Sequence, residues 1–185
     1  MTQRLSVANA APFADARRAL NATVVVGELL DPVWLLNRVV FPIVQWNPEA
    51  LEARMATGLG PVLDRTSVRD RVDEIGRPVL DVLGFVICGS LERSRSALAT
   101  LSYYGATVLS TRLATDWDSW ECQVGGHWLV EIADREAKVL NRGRAGRRPE
   151  SRPTPIQASL MVEQLFDTAI RCGSERSIGR RSPKH

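Results

Sequence analysis

Lysine is nearly missing from this 185-residue chain. Of its 24 basic side chains 22 are arginine, leaving Lys138 and Lys184. Histidine is scarcer still in kind, with only His127 and His185, and the three cysteines, Cys88, Cys122 and Cys172, lie far apart with no C-x-x-C pair. Each shortage removes a chemistry. Zinc sites of the Cys/His type lack ligands, and a Ser-His-Asp arrangement has too few histidines to choose from. An odd number of dispersed thiols argues against a disulfide framework and for a reducing compartment, the cytoplasm. No G-x-x-x-x-G-K-[S/T] occurs, and Gly58 and Gly60 in ATGLGP lack the strand–turn–helix setting of a phosphate loop. The residues imply no metal and no cofactor.

Long apolar runs are missing too. The two most apolar stretches, 33–44 and 79–88, fall short of the ~20 residues a spanning helix requires. The first also contains Asn37, Arg38 and Pro42. The N-terminal MTQRLSVANAAPFADARRAL has no apolar segment of the secretory kind. A soluble protein without a membrane span is expected. The 44% hydrophobic and 24% charged shares are ordinary for a globular chain, and the length suits one globular domain over 1–173.

The positive charge is unevenly placed. From Arg142 to His185, nine arginines and one lysine face four carboxylates, a net of +6. The remaining 141 residues hold 14 cations and 17 anions, a net of −3. A mildly acidic body thus carries its cations in the last quarter of the chain. A coding bias explains the arginine-to-lysine ratio without a ligand, although arginine also favours bidentate phosphate contacts.

Helix signals are frequent. DPVWLLNRVVF offers Asp31 as an N-cap with Pro32 at the first helical position, and Pro42 beyond. NPEALEARMATG repeats the device from Asn47 to Gly58. SVRDRVDEIGRP and SLERSRSALATLSYYG read as helices beginning at Ser67 and Ser90. In TPIQASLMVEQLFDTAIRCG, Thr154 and Gln157 make a capping box, and Ala158, Met161, Val162, Leu165, Ala169 and Cys172 form an apolar stripe for docking, with Glu163 off it. Strand signals are fewer. TVVV at 23–26 is short, VLGFVIC is strand or helix, and Ala106 to Thr115 is a possible third strand. WECQVGGHWLVEIA reads as two strands joined by a Gly125-Gly126 hairpin turn. The expected fold is a predominantly helical α+β single domain with a small antiparallel β-hairpin or sheet late in the chain and a docked C-terminal helix.

Three places invite chemistry. In the expected hairpin Cys122 and His127 are diagonal neighbours, the residue types of a thiolate–imidazole pair, against the plainer reading of a small hydrophobe and a surface histidine. The D-x-D of TDWDSW, Asp116 and Asp118, is similar to the metal–nucleotide-sugar site of many glycosyltransferases, but further oxygen ligands are few and a polar turn suffices. Five tryptophans are many for this length. Trp34 is expected in the core, while Trp120 and Trp128 point to opposite faces of the hairpin, so that one of them is left for stacking or partner contact.

The arginine-rich loop over 141–153, NRGRAGRRPESRP, is barred from regular structure by its glycines and prolines. On a mobile, extended strap tethered at both ends, Arg142, Arg144, Arg147, Arg148 and Arg152 could each meet a phosphate. Arg180 and Arg181 add to this on a disordered basic tail over 174–185. The leading expectation is a small non-catalytic protein contacting nucleic acid or another polyanion through loop and tail, without strong sequence specificity. The alternative is a protein–protein assembly module: an adaptor, a chaperone-like binder, or a self-associating structural subunit such as a coat or matrix component.

Overall fold

A computed structural model describes residues 10–70, 76–134, 136–149 and 152–172 of the chain. The predominantly helical fold with a small late hairpin does not form. A seven-stranded mixed sheet, curled into a half-barrel, accompanies six helices among these residues.

Differences in a few segments account for this. The stretch expected as a helix after Asp31 is a hairpin, with β2 (Val33–Leu35) antiparallel to β3 (Arg38–Trp46). Its two-residue turn is Leu36-Asn37, both at positive φ, as the right-handed twist of paired strands demands. Pro42 neither ends nor kinks a helix. It sits inside β3, where its carbonyl accepts from Leu30 N–H at 2.9 Å, just past β1 (Glu28–Leu29). The ambiguous VLGFVIC lies in the strand β4 (Leu80–Cys88). The expected Gly125-Gly126 hairpin is instead the end of a helix. TVVV forms no strand, with Val24 and Val26 exposed.

The chain divides into two compact units. The first draws on Met1–Ile43 and Leu83–Arg152. It contains α1 (Ala10–Asn21), then, after β4, α4 (Leu91–Leu101), β5 (Ala106–Thr111), α5 (Asp116–Gly125), β6 (Trp128–Ala133) and β7 (Glu136–Asn141). The strand order is β1-β3-β4-β5-β6-β7, with β2 on β3. β4, β5 and β6 run parallel through the crossovers of α4 and α5, and β7 returns antiparallel to β6. A central parallel strand covered on both faces must be shielded throughout, and every residue of β5 is buried. Ala16, Ala19 and Leu20 of α1 cover the face bearing Val86, Val108 and Val130, while α4 and α5 pack on the sheet as well.

The second unit draws on Val44–Val82 and Pro153–His185. Its helices are α2 (Pro48–Thr57), α3 (Arg65–Asp70) and α6 (Pro155–Arg171), with α6 packed against α3. Here the capping signals hold. Asn47 Oδ1 accepts from Ala50 N–H, Gly58 closes α2 in the left-handed conformation, and Thr154 with Gln157 completes its box. The buried line of α6 coincides with the expected stripe only at Leu165 and Ala169. It runs through Glu163, Leu165, Phe166 and Ala169, and Cys172 is exposed. Glu163 goes inward because Arg54 of α2 meets it at 2.7 Å, and Val62 N–H adds a hydrogen bond at 2.8 Å. Residues 71–75 of the expected third helix, and the tail with Arg180 and Arg181, lie outside the described residues.

Candidate functional site

The segment TDWDSWECQVGG is a helix because both ends are satisfied. Thr115 Oγ1 accepts from Asp118 N–H at 3.2 Å, and the Asp118 carboxylate accepts from Thr115 N–H at 2.8 Å. At the other end Gly126 takes φ 69°, donates to Gln123, and lets His127 N–H reach Cys122 O at 2.8 Å. Asp118 of the D-x-D pair is therefore a helix cap, and Asp116 belongs to the same first turn, where carboxylates complement the helix dipole. Among the described residues no group of three or more histidines, cysteines, aspartates or glutamates could hold a metal ion.

What α5 leaves in water is apolar. Trp117, Trp120 and Val124 recur at spacings of three and seven, hence on one face, and are 61%, 53% and 66% exposed. The two indole rings lie 4.8 Å apart between centroids and 33° from coplanar. Leu113, two residues before the cap, is also exposed. Glu121 on the flank is neutralised by Arg95 of α4, which pairs through Nη2 at 2.7 Å and through Nε. A groove of about 230 Å³ between α4 and α5 is lined by Leu98, Arg95, Val124, His127 and Arg148.

The arginine strap is seated on this same unit rather than loose. Asn141 Nδ2 donates to His127 O at 2.8 Å, Arg144 N–H to Gly126 O at 3.0 Å, and Arg148 N–H to Ser102 O at 2.7 Å. The Arg144 guanidinium donates to Gly125 O at 2.9 Å, placing a cation at the carbonyl end of α5. Trp128 Nε1 in turn donates to Arg144 O at 2.9 Å. Arg142, Arg147, Arg148 and Arg152 remain exposed. Of the two tryptophans expected to divide between core and surface, Trp128 is buried and Trp120 exposed. Trp34, expected in the core, stands out from β2 opposite the exposed Val39.

Cys122 and His127 do not make an ionised pair. Burial, aided by Asp118 and Glu121, pushes the Cys122 thiol up to about 12. Burial and the nearby guanidinium groups of Arg144 and Arg148 hold the His127 imidazole down to about 4. The imidazole is thus neutral at pH 7, with Nδ1 sharing a 2.6 Å hydrogen bond with Thr107 Oγ1.

A crevice of about 560 Å³ opens at the carboxyl ends of β4 and β5, between Pro12 and Asp15 of α1, Ser90, and Arg112. Such a position suits ligands in parallel sheets. Its ionic groups, however, satisfy one another: Asp15 is bridged by Arg18 at 2.9 Å and Arg112 at 3.0 Å. Cys88 at its floor is a poor nucleophile, its thiol raised by burial to about 11.

Sequence reasoning missed Trp117 because the hairpin reading placed the segment around it outside any helix. The signal was its three-residue spacing from Trp120 behind a Thr-x-x-Asp cap. No protein-family model, no curated protein and no solved structure matches this chain.

Proposed function

We propose that the chain is a protein–protein assembly module whose contact surface is the exposed face of α5. The stacked, half-exposed Trp117–Trp120 pair on a helix capped at both ends carries this reading. Tryptophan is concentrated at the energetic centres of protein interfaces, since it buries a large rigid area at little entropic cost. Apolar surface left in water forgoes roughly 25 cal/mol per Å² until a partner covers it. Asp116 beside this face and Asp118 at its amino end make it a poor one for phosphate. Affinity capture from cell extract should retain partners on the wild-type chain at both low and high salt and lose them on W117A/W120A. Partners retained equally by both chains would sink the reading.

A second reading rests on the four exposed arginines of the strap, Arg142, Arg147, Arg148 and Arg152. Contact with a polyanion through four guanidinium groups gives a logarithmic salt slope of about −3 to −4 on duplex DNA. Oligonucleotide binding should then fall steeply between ~50 and 200 mM salt, and should vanish on replacing the four arginines while surviving W117A/W120A. Binding indifferent to the arginines removes this second reading.

A further inference from the structure

We infer that the occupant of the α5 face is a second copy of this chain, with its α5 antiparallel across a two-fold axis. This rests on the assembly reading above and adds to it the identity of the partner. A two-fold interface requires one patch to be complementary to itself after rotation, and the α5 face has that property. Its amino end carries Asp116 and Asp118, and its carboxyl end carries the Arg144 guanidinium on Gly125 O, with the exposed Arg148 beside Val124 and Gly125 in the adjoining groove. Rotation about an axis near Trp120 brings Asp116 of each copy to the arginine-bearing turn of the other. It also sets Trp117 opposite Val124 and Trp120 opposite its own symmetry mate. A parallel pairing would instead bring like charges together at both ends.

The available area fits. Two tryptophans about half exposed, with Val124, offer on the order of 400 Å² of apolar surface per copy. With the polar flanks of Asp116, Gln123 and the strap added, two copies reach the lower range of specific interfaces, roughly 1,200 Å² in total. Glu121 does not oppose the pairing, because Arg95 of the same protomer already neutralises it.

Sedimentation velocity on the purified full chain over a concentration series is the test. A monomer–dimer equilibrium is expected that weakens only several-fold between low and high salt, as the loss of its exposed ion pairs implies. W117A/W120A should weaken it by about 100-fold or more, as the loss of two central aromatics implies, with the far-UV circular dichroism unchanged because both side chains are exposed. D116R alone and R148D alone should each weaken it about tenfold, and the combined D116R/R148D chain should recover most of the loss. A chain that stays monomeric at its highest soluble concentration overturns the inference. If that monomer still captures extract partners through Trp117 and Trp120, only the second copy is removed and the assembly reading stands. A dimer indifferent to W117A/W120A removes both.

Discussion

Arg54 and Glu163, 109 residues apart in sequence, meet at 2.7 Å with both side chains almost inaccessible to water. The pair is fully satisfied. Arg54 also donates to Leu59 O and Gly60 O, each at 3.0 Å, and its guanidinium lies 5.9 Å from the Phe166 ring centre. Glu163→Ala strands a buried cation and should cost about 3–5 kcal/mol in urea unfolding. Replacing both partners with apolar residues of similar volume should cost less than either single change. Equal costs for the single and double variants would mean that the ion pair does not govern this packing.

Trp120 and Trp128 separate by stability. Trp128 is buried and hydrogen-bonded to the strap, so Trp128→Ala should cost about 3–5 kcal/mol. Trp120→Ala removes a half-exposed ring that touches only part of the fold and Trp117, and should cost about 1 kcal/mol in the monomer. Denaturant midpoints of the two variants at low protein concentration check this directly.

His127 makes the stability of the first unit pH-dependent. Its folded pKa of about 4 lies below the ordinary 6.5, chiefly through burial, so the unfolded chain binds the proton more readily. The stabilisation is full above pH 6.5 and drains away as pH falls toward 4, about 3 kcal/mol in all. His127→Gln should flatten that part of the profile. A wild-type profile superimposable on that of the variant between these pH values would contradict the assignment.

Gly126 is the residue on which α5 turns into β6. A side chain there would adopt φ 69° and overlap the Arg144 guanidinium. Gly126→Ala should therefore cost more than the ~1 kcal/mol expected of the left-handed strain alone. Combining it with Arg144→Ala should return part of the loss, a coupling that thermal unfolding of the four chains would measure.

Local punctuation was legible in the sequence and layering was not. Asn47, Gly58, Thr154 and Gln157 do what their side chains and dihedrals dictate whatever surrounds them. Gly125-Gly126 misleads, reading as a hairpin turn where it closes a helix, because a left-handed glycine does both. A helix here also escapes notice because Trp117, Trp120 and Val124 look outward, which defeats any inference that apolar means inward. The true β2–β3 hairpin hid behind Leu36-Asn37, a turn without glycine, and behind Asp31-Pro32, which resembles a helix start. Burial of Glu163 depended on Arg54, a long-range partner that no periodicity reveals. The strap's cations were visible, but the seating of Arg144 on the end of α5 was not, since it required knowing where α5 ends.

The separation of Arg54 from Glu163 also has a temporal side. A ribosome delivers α2 long before α6, so the guanidinium waits in water, coupled to nothing buried, until residue 163 clears the exit tunnel. Nascent chains halted before Pro155 should thus keep the 44–82 segment open to protease. Chains released past Arg171 should protect it in one late, concerted step.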